Sequence, residues 1–215
     1  MVPPANTQIK ALSIDPNLPL VLVDADEVLV HFAIPFRNYL LKRGYELKLN
    51  GYTLQNAIFN VKSNRPVVPH TAKNLVINFI KEETHRQPAT PGAIDSIKAI
   101  STYAQIIIIS NVPRYAHKAR LANLKALDLP FPFVSNEGPK GPALKQICDQ
   151  IKKPSVFIDD NSSQISSAKQ FVPHLYRFYF SGCEFVRSQM PNTDAATHNP
   201  KSWKEIEAFC NDLFN

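Results

Sequence analysis

The sequence has no long apolar run, no closely spaced cysteines and no dense block of basic residues. Its longest purely aliphatic stretch, Ile106 to Ile109, is far shorter than the roughly 20 residues that a transmembrane helix needs. The first residues, Met1 to Gln8, lack a basic segment followed by an apolar one, which argues against a secretory signal. We therefore expect a cytoplasmic protein with no membrane partner.

The three cysteines and the net charge of +6 exclude further classes of protein. Cys148, Cys183 and Cys210 are odd in number and widely spaced, which fits neither a disulfide framework nor a close-spaced zinc motif. Buried, reduced thiols are the expected state. Lysine and arginine are spread along the chain without a block of five, so the charge favours small anionic substrates such as phosphate esters over nucleic acid.

What is present is an alternation of short apolar runs and helical patterns. A length of 215 residues suits one core with an accessory. Buried parallel strands are predicted at Leu20–Val23, Gln105–Ser110, Phe131–Ser135, Ser155–Ile158 and Leu175–Phe180. Helices are predicted at Pro91–Ser101, Pro113–Leu127, Pro142–Ile151, Ser162–Phe171 and Ser202–Leu213, three of them opened by a proline and the last by a Ser202/Glu205 capping box. This alternation predicts an α/β fold, a doubly wound Rossmann-like parallel sheet of about five strands.

Residues 31–88 interrupt the alternation and predict an accessory segment. Ile34–Arg43 and Thr71–Arg86 look helical, with Thr71 as the N-cap of the second helix, whereas Tyr45–Pro69 follows no clear pattern. The predicted organisation is a core of residues 1–30 and 89–215, in which residues 1–19 form an extended arm, and a small, mostly helical insertion at 31–88.

Two acids, Asp24 and Asp26, directly follow the first predicted strand. They therefore lie at the carboxyl edge of the sheet, where ligands bind in open α/β folds. Two carboxylates held close together repel each other, which makes sense where a cation or a reaction uses them. Taken alone, the pair is explained equally well as a polar strand end that caps the next turn.

Three further groups follow later strands. Ser110 and Asn111 end the second strand and could hold phosphoryl oxygens, although a helix cap before Pro113 also explains them. Lys140 lies in a Gly-Pro loop and could neutralise a nucleophile and phosphate, or be a solvated lysine. Asp159–Asp160 ends the fourth strand and supplies hard oxygen ligands suited to Mg²⁺.

The complete ordered set resembles the motifs of the haloacid dehalogenase superfamily of phosphohydrolases. The resemblance covers about residues 20 to 181. The four matching stretches are Val21–Asp26, Ile107–Ser110, Lys140 and Phe157–Asp160. The full set is a specific signal, although no single part is.

The resemblance implies a role for each matching residue. Asp24 would attack phosphorus, and Asp26 would protonate the leaving group and then activate water. Ser110, with Asn111, would bind the transferring phosphoryl, and Lys140 would offset its negative charge. The resemblance also argues against dehalogenase activity, because the superfamily's dehalogenases lack an acid at the position of Asp26.

The resemblance also implies a magnesium cofactor and a cap. Asp24, the backbone carbonyl of Asp26 and the pair Asp159–Asp160 would hold the ion. The extra residues fall between the first and second motifs, where some family members carry a cap that closes over the site. The opening Asp24–Phe32 is similar to that of the deoxyribonucleotidases, although Glu27 replaces the usual glycine and His31 the usual acid.

Specificity would depend on polar residues of this cap and on the basic helix after the second motif. The cap candidates, each also explicable as a surface or capping residue, are His31, Arg37, Asn56, Asn60, Arg65 and His70. The basic helix carries Arg114, His117, Lys118 and Arg120, for which a solvated face is the favoured interpretation over a remote anion site.

The resulting hypothesis is a magnesium-dependent phosphatase that hydrolyses a small phosphomonoester through an aspartyl-phosphate. The alternatives are a catalytically weak binding module of the same fold and a phosphatase acting on nucleotides or nucleic-acid ends. Nothing in the sequence decides between a monomer and an oligomer.

Overall fold

The computed structural model describes residues 2–51 and 53–215. The strands in this part of the chain are β1 (Leu20–Val23), β2 (Tyr45–Leu47), β3 (Ile58–Asn60), β4 (Arg65–Pro66), β5 (Gln105–Ser110), β6 (Phe133–Ser135), β7 (Ser155–Asp159) and β8 (Tyr176–Tyr179). The α-helices are α1 (Ala5–Lys10), α2 (Ala33–Leu41), α3 (Pro69–Glu83), α4 (Ala93–Ile100), α5 (His117–Ala126), α6 (Gly141–Cys148), α7 (Ser162–Phe171), α8 (Glu184–Arg187) and α9 (Trp203–Phe214).

The core is a five-stranded parallel sheet in the order β6-β5-β1-β7-β8. All four residues of β1 are buried, since apolar clusters cover both faces of the sheet. Val23, the last residue of β1, pairs with Ile108 of β5 and Ile158 of β7. The carboxyl ends of these three strands are therefore close to one another. This confirms the α/β fold and the five strands that the sequence predicted.

Helix starts agree with the sequence only in part. Pro142 lies in the first turn of α6, as predicted. Pro91 instead precedes the N-cap of α4, which is Gly92 in a left-handed conformation, and Pro113 precedes a short 3-10 turn. Ser202 caps α9 by accepting a hydrogen bond from the backbone of Glu205.

The amino-terminal segment is not wholly extended, so the prediction of an extended arm is wrong for residues 5–10. Ile9 buries its side chain in the apolar cluster beneath the sheet, which fixes α1 against the core. Gln8 exchanges hydrogen bonds with the backbone of Ser135, at 3.0 and 3.2 Å. A single buried anchor leaves no helical periodicity for the sequence to show.

Residues 31–88, called the accessory segment below, contain α2, α3 and the antiparallel sheet β2-β3-β4. This sheet occupies the stretch that the sequence left unassigned. Thr71 is not the N-cap of α3, because that helix begins two residues earlier, at Pro69. The segment has its own apolar cluster, centred on Phe36 and Phe79, as an independent unit would need. The division of the chain into these two units stays a prediction.

The three cysteines are buried and unpaired, which confirms the expectation of free thiols. Among the helices formed by the described residues, none combines the length and the apolar character needed to cross a membrane.

Candidate active site

A cleft of about 510 Å³ lies between the carboxyl ends of β1, β5 and β7 and the accessory segment. The parallel sheet brings the side chains that follow these strands to one edge. All seven residues predicted for the site line this cleft: Asp24, Asp26, Ser110, Asn111, Lys140, Asp159 and Asp160. Residues that are up to 136 positions apart in the sequence thus share one site.

Lys140 lies between two carboxylates at the floor of the cleft. Its ammonium donates to Asp159 Oδ2 at 2.6 Å and to Asp24 Oδ1, and its side chain is 2% exposed. Burial opposes the lysine's charge, but the neighbouring Asp159 and Asp24 outweigh it and raise the pKa of Lys140. The lysine is therefore a buried cation, and not a solvated loop residue.

The backbone around this ion pair is fixed by further hydrogen bonds. The backbone N–H of Lys140 donates to Gln164 Oε1 at 2.8 Å, and that of Asn161 donates to Asp159 Oδ1 at 2.9 Å. Burial raises the pKa of Asp159 to about 6, although Lys140 acts in the opposite direction. Two carboxylates thus share one ammonium, which leaves the site short of positive charge.

Asp26 has a different partner from Asp24. Its Oδ1 accepts from Arg120 at 2.5 Å, and the Asp26 side chain is 30% exposed whereas that of Arg120 is 1% exposed. Burial and, less strongly, Asp24 raise the pKa of Asp26, while Arg120 acts to lower it; the net direction is upward. A carboxyl with a raised pKa is suited to carry a proton.

The prediction of a solvated basic face is wrong for Arg120. Its guanidinium also donates to Gln87 Oε1 at 2.6 Å and to Asn123 Oδ1 at 2.8 Å. Ala116, Arg120 and Leu124 recur every four residues and all three are buried. The sequence does not indicate a buried face here, because one of these three positions is a charged arginine.

The other basic residues near α5 do not line the cleft in the described structure. Arg114 forms an ion pair with Glu137, at 2.8 Å, and Lys118 is exposed. His117 Nδ1 lies 2.5 Å from Ser135 Oγ. None of these three is among the described residues that line the cleft.

Ser110 and Asn111 differ in how many hydrogen bonds their side chains form within the protein. The hydroxyl of Ser110 is buried at the cleft and accepts a hydrogen bond from the backbone of Val112 at 3.3 Å. The side chain of Asn111 donates to the carbonyl of Gly138 at 2.8 Å and accepts from Asn136 at 2.9 Å. Its side chain therefore braces the loop that carries Lys140.

Acidic side chains outnumber basic ones among the described residues that line the cleft. The acids are Asp24, Asp26, Glu27, Asp159 and Asp160, and the bases are Arg120 and Lys140. Crowded carboxylates at one edge suit a hard divalent cation that prefers oxygen ligands. The donor set therefore fits magnesium, with Asp24, Asp159 and Asp160 as the side chains able to hold it.

Glu27 is a cleft residue to which the sequence assigned no role. It adopts a left-handed backbone conformation, φ 62°, and is 5% exposed. Its Oε1 accepts from the backbone N–H groups of Phe32, at 2.9 Å, and Ala33. Burial raises the pKa of Glu27 to about 7. The carboxyl thereby links the loop after β1 to the start of α2.

The accessory wall of the cleft is mainly apolar. Its side chains include Phe32, Leu49, Leu54 and Ile80. None of the six polar candidates in this segment is among the described residues that line the cleft. Asn56, Arg65 and His70 are exposed, Asn60 accepts from the backbone of Ser63, and Arg37 lies over the ring of Phe185. His31 is half-buried.

Comparison with known proteins finds matches among solved structures but none by sequence. No family model matches the chain, and no curated protein matches it. A Bacillus subtilis protein assigned to the HAD hydrolases, solved with magnesium, aligns with a TM-score of 0.63 and 14% identity, covering 91% of this chain and 99% of that one. A HAD family hydrolase from Deinococcus radiodurans, solved with phosphate and sodium, gives 0.61 and 16%, covering 93% and 97%.

An L-2-haloacid dehalogenase from Xanthobacter autotrophicus is also similar, with a TM-score of 0.56, 11% identity and coverage of 90% and 98%. The chain therefore has the fold of the haloacid dehalogenase superfamily, as the resemblance in its motifs implied. The structurally similar proteins include dehalogenases as well as other hydrolases, so the fold alone does not specify the reaction.

Proposed function

We propose that this chain is a hydrolase of the haloacid dehalogenase superfamily that cleaves small phosphomonoesters with the help of magnesium. The observation that carries the proposal is the division of partners between the two acids of the first motif. Asp24 contacts the buried ammonium of Lys140, whereas Asp26 pairs with Arg120 and has a raised pKa. This gives one carboxylate suited to attack and one carboxyl suited to proton transfer.

In the proposed reaction, Asp24 forms a bond to phosphorus as the bond from phosphorus to the leaving oxygen breaks. Asp26 delivers its proton to that oxygen. Asp26 then takes a proton from a water molecule, which attacks phosphorus and releases phosphate from Asp24. Lys140 and Ser110 stabilise the negative charge and the oxygens of the transferring group. Bound magnesium would supply further charge neutralisation at Asp24 and the phosphoryl oxygens.

Phosphoryl transfer is favoured over dehalogenation because a haloacid releases halide, which needs no proton from an acid. Asp26 lies in the cleft with a raised pKa and an arginine that fixes its position. Such an arrangement is useful where an alkoxide or phenolate departs. A 2-haloacid is therefore expected to be a poor substrate.

The central experiment measures hydrolysis of an aryl phosphate with magnesium by the wild-type protein, Asp24→Asn and Asp26→Asn. Asp24→Asn should lose activity by more than about a thousandfold, because binding and electrostatics alone remain. Asp26→Asn should accumulate a protein whose mass has increased by one phosphoryl group. Asp212→Asn, at an exposed position of α9, is the matched control and should retain full activity. Undiminished turnover in Asp24→Asn would overturn the proposal.

The walls of the cleft suggest the class of leaving group. Both basic side chains among the described lining residues, Lys140 and Arg120, are already paired with carboxylates. A second phosphate or a carboxylate on the substrate would therefore find no cation there, while an uncharged and partly apolar group would contact Phe32, Leu54 and Ile80. We infer that aryl phosphates and nucleoside monophosphates are better substrates than nucleoside diphosphates or phosphorylated acids.

A panel of these four substrate types, at equal concentration and with magnesium, tests the inference through kcat/KM. Preference for a diphosphate or a phosphorylated acid would contradict it. Loss of all four activities in Asp24→Asn would still support the reaction itself. The two ideas can therefore fail separately.

A further inference from the structure

Three side chains with different metal-binding atoms meet beside the cleft. Glu27 is in the loop after β1, His31 begins the accessory segment, and Cys183 follows β8. One ligand atom from each lies within 4.8 Å of the other two. Ligand atoms around a tetrahedral zinc ion are about 3.3–3.8 Å apart, as follows from its bond lengths. The three side chains are thus within reach of a common ion.

Two polar atoms in this cluster are buried without a hydrogen-bond partner. They are Oε2 of Glu27 and Nδ1 of His31. The Cys183 thiol interacts with the Glu27 carboxyl, but a thiol is a weak donor. An unsatisfied buried polar atom costs about 1–3 kcal/mol, so native proteins rarely keep two of them together. A cation between them would satisfy both.

The backbone holds the three residues in place. The N–H of Gly182 donates to the carbonyl of Glu27 at 2.7 Å, and Ser181 Oγ accepts from the N–H of Cys183 at 3.2 Å. The N–H of His31 donates to the carbonyl of Pro88 at 2.9 Å. Oε1 of Glu27 accepts hydrogen bonds from the backbone at the start of α2, which leaves Oε2 as the oxygen without a partner. Hydrogen bonds to a ligating carboxylate, such as those to Oε1 of Glu27, are typical of metal sites.

The chemistry of the donors selects the kind of ion. A carboxylate, an imidazole and a thiolate suit zinc and similar transition metals, whereas magnesium avoids sulfur. We propose that Glu27, His31 and Cys183 bind one Zn²⁺ ion, with a water as fourth ligand. The ion would link the start of the accessory segment to the loops after β1 and β8. The site is separate from the carboxylates proposed for magnesium and does not depend on the proposed reaction.

The spacing of these residues along the sequence gives no indication of the cluster, because 152 positions separate His31 from Cys183. Zinc binding requires the Cys183 thiol to lose its proton. Burial opposes that loss, but a divalent cation next to sulfur favours it strongly. Binding should therefore release a proton and strengthen as the pH rises.

Cobalt(II) is a suitable probe, because it replaces zinc and gives a thiolate-to-metal absorption that magnesium cannot give. The full-length protein is stripped with a chelator, titrated with Co²⁺ and then with Zn²⁺. The wild type should bind one equivalent with a thiolate band, which Zn²⁺ should remove by displacement. Absence of that band in the wild type would overturn the proposal.

Variants assign the band to the cluster. Cys183→Ser should lose the thiolate band, and His31→Ala should weaken Co²⁺ affinity by more than about a hundredfold, since a ligand matters more than its supporting bonds. Cys210→Ser, at another buried thiol, should keep both. Asp24→Asn should lose hydrolysis but keep the cobalt band, which separates this site from the proposed magnesium site. Circular dichroism checks that each variant is folded.

His31 is only partly buried, so its replacement is expected to leave the fold intact even if Cys183→Ser does not fold. A cobalt band of unchanged strength and affinity in folded His31→Ala would contradict the site. The same holds if the band is retained in Cys183→Ser and lost in Cys210→Ser.

Discussion

Asp24 and Asp26 are neighbours in sequence but have different electrostatic surroundings. The first is almost enclosed and contacts an ammonium, and the second is partly open to the cleft and contacts a guanidinium. The sequence could predict both acids, Ser110, Lys140 and Asp159, because each follows a recognisable strand. It could not predict the partner of Asp26, since Arg120 is 94 residues away and reaches it only through packing of α5.

Replacing Arg120 with glutamine should lower kcat/KM for an aryl phosphate by about 10–100-fold, a part of what a general acid contributes. Arg120 lowers the pKa of Asp26, so its loss should move the alkaline limb of the pH–rate profile, where Asp26 loses the proton that it donates, to higher pH. The measurement is kcat/KM between pH 4 and about pH 9.

Lys118→Gln on the exposed side of the same helix is the control and should leave the profile unchanged. Arg120→Lys should show a smaller shift than Arg120→Gln, because the lysine keeps a positive charge near Asp26. A glutamine variant with lower activity but an unmoved pH profile would indicate that Arg120 acts only through folding.

A second expectation at this scale concerns magnesium. An ion that binds only the folded chain stabilises it by about 2.7 kcal/mol at a hundred times its Kd. Magnesium should therefore raise the Tm of the wild type, and Asp159→Asn should abolish the rise. Asp149→Asn, an exposed acid in the described structure, should behave like the wild type. An equal rise in both variants would argue against the proposed ion site.

At the scale of elements, the parallel strands were predictable because burial on both faces leaves continuous apolar runs such as β1. The sheet β2-β3-β4 was not, because its strands are two or three residues long and show no alternation. The start of α3 was misplaced, since Pro69 at its first turn competes with Thr71 as a start signal.

Helix α9 gives a test of the Ser202 cap. Of the predicted capping box, the structure shows the bond to Ser202, whereas the Glu205 carboxylate accepts from the backbone of Lys201. Ser202→Ala removes the side-chain acceptor for the Glu205 N–H and should cost about 0.5–2 kcal/mol of unfolding free energy. The change is measured by urea unfolding. Ser166→Ala, exposed within α7, is the comparison and should alter stability by less than about 0.5 kcal/mol. Equal losses in the two variants would mean that the cap contributes nothing.

At the scale of the whole molecule, the apolar residues form separate clusters on the two faces of the core sheet and within the accessory segment. The break in alternation after β1 predicts an insertion at residues 31–88, and that division stays a prediction. Its internal packing was not predictable, because the cluster joins α2 to α3 across an irregular stretch.

Phe79→Ala should loosen the accessory segment selectively. Phe79 is fully buried and contacts the rings of Phe32, Phe36 and Tyr39, with centroids 5.0–5.4 Å apart. Its truncation should cost about 3–5 kcal/mol locally. Hydrogen exchange should accelerate in residues 31–88 and stay slow in β1, β5 and β7. Leu41→Ala, at an exposed site, is the control. Uniform acceleration along the chain would contradict a separate unit.

The two connections between the core and the accessory segment lie side by side. Val30 and Ala89 form an antiparallel bridge, with a hydrogen bond from Thr90 to Leu29 on one side and from His31 to Pro88 on the other. Entry and exit therefore occupy one point on the core, and no strand of the parallel sheet passes through the inserted residues. The segment is attached like an interchangeable module: another insert whose ends lie equally close could be joined there with the order of the core strands unchanged.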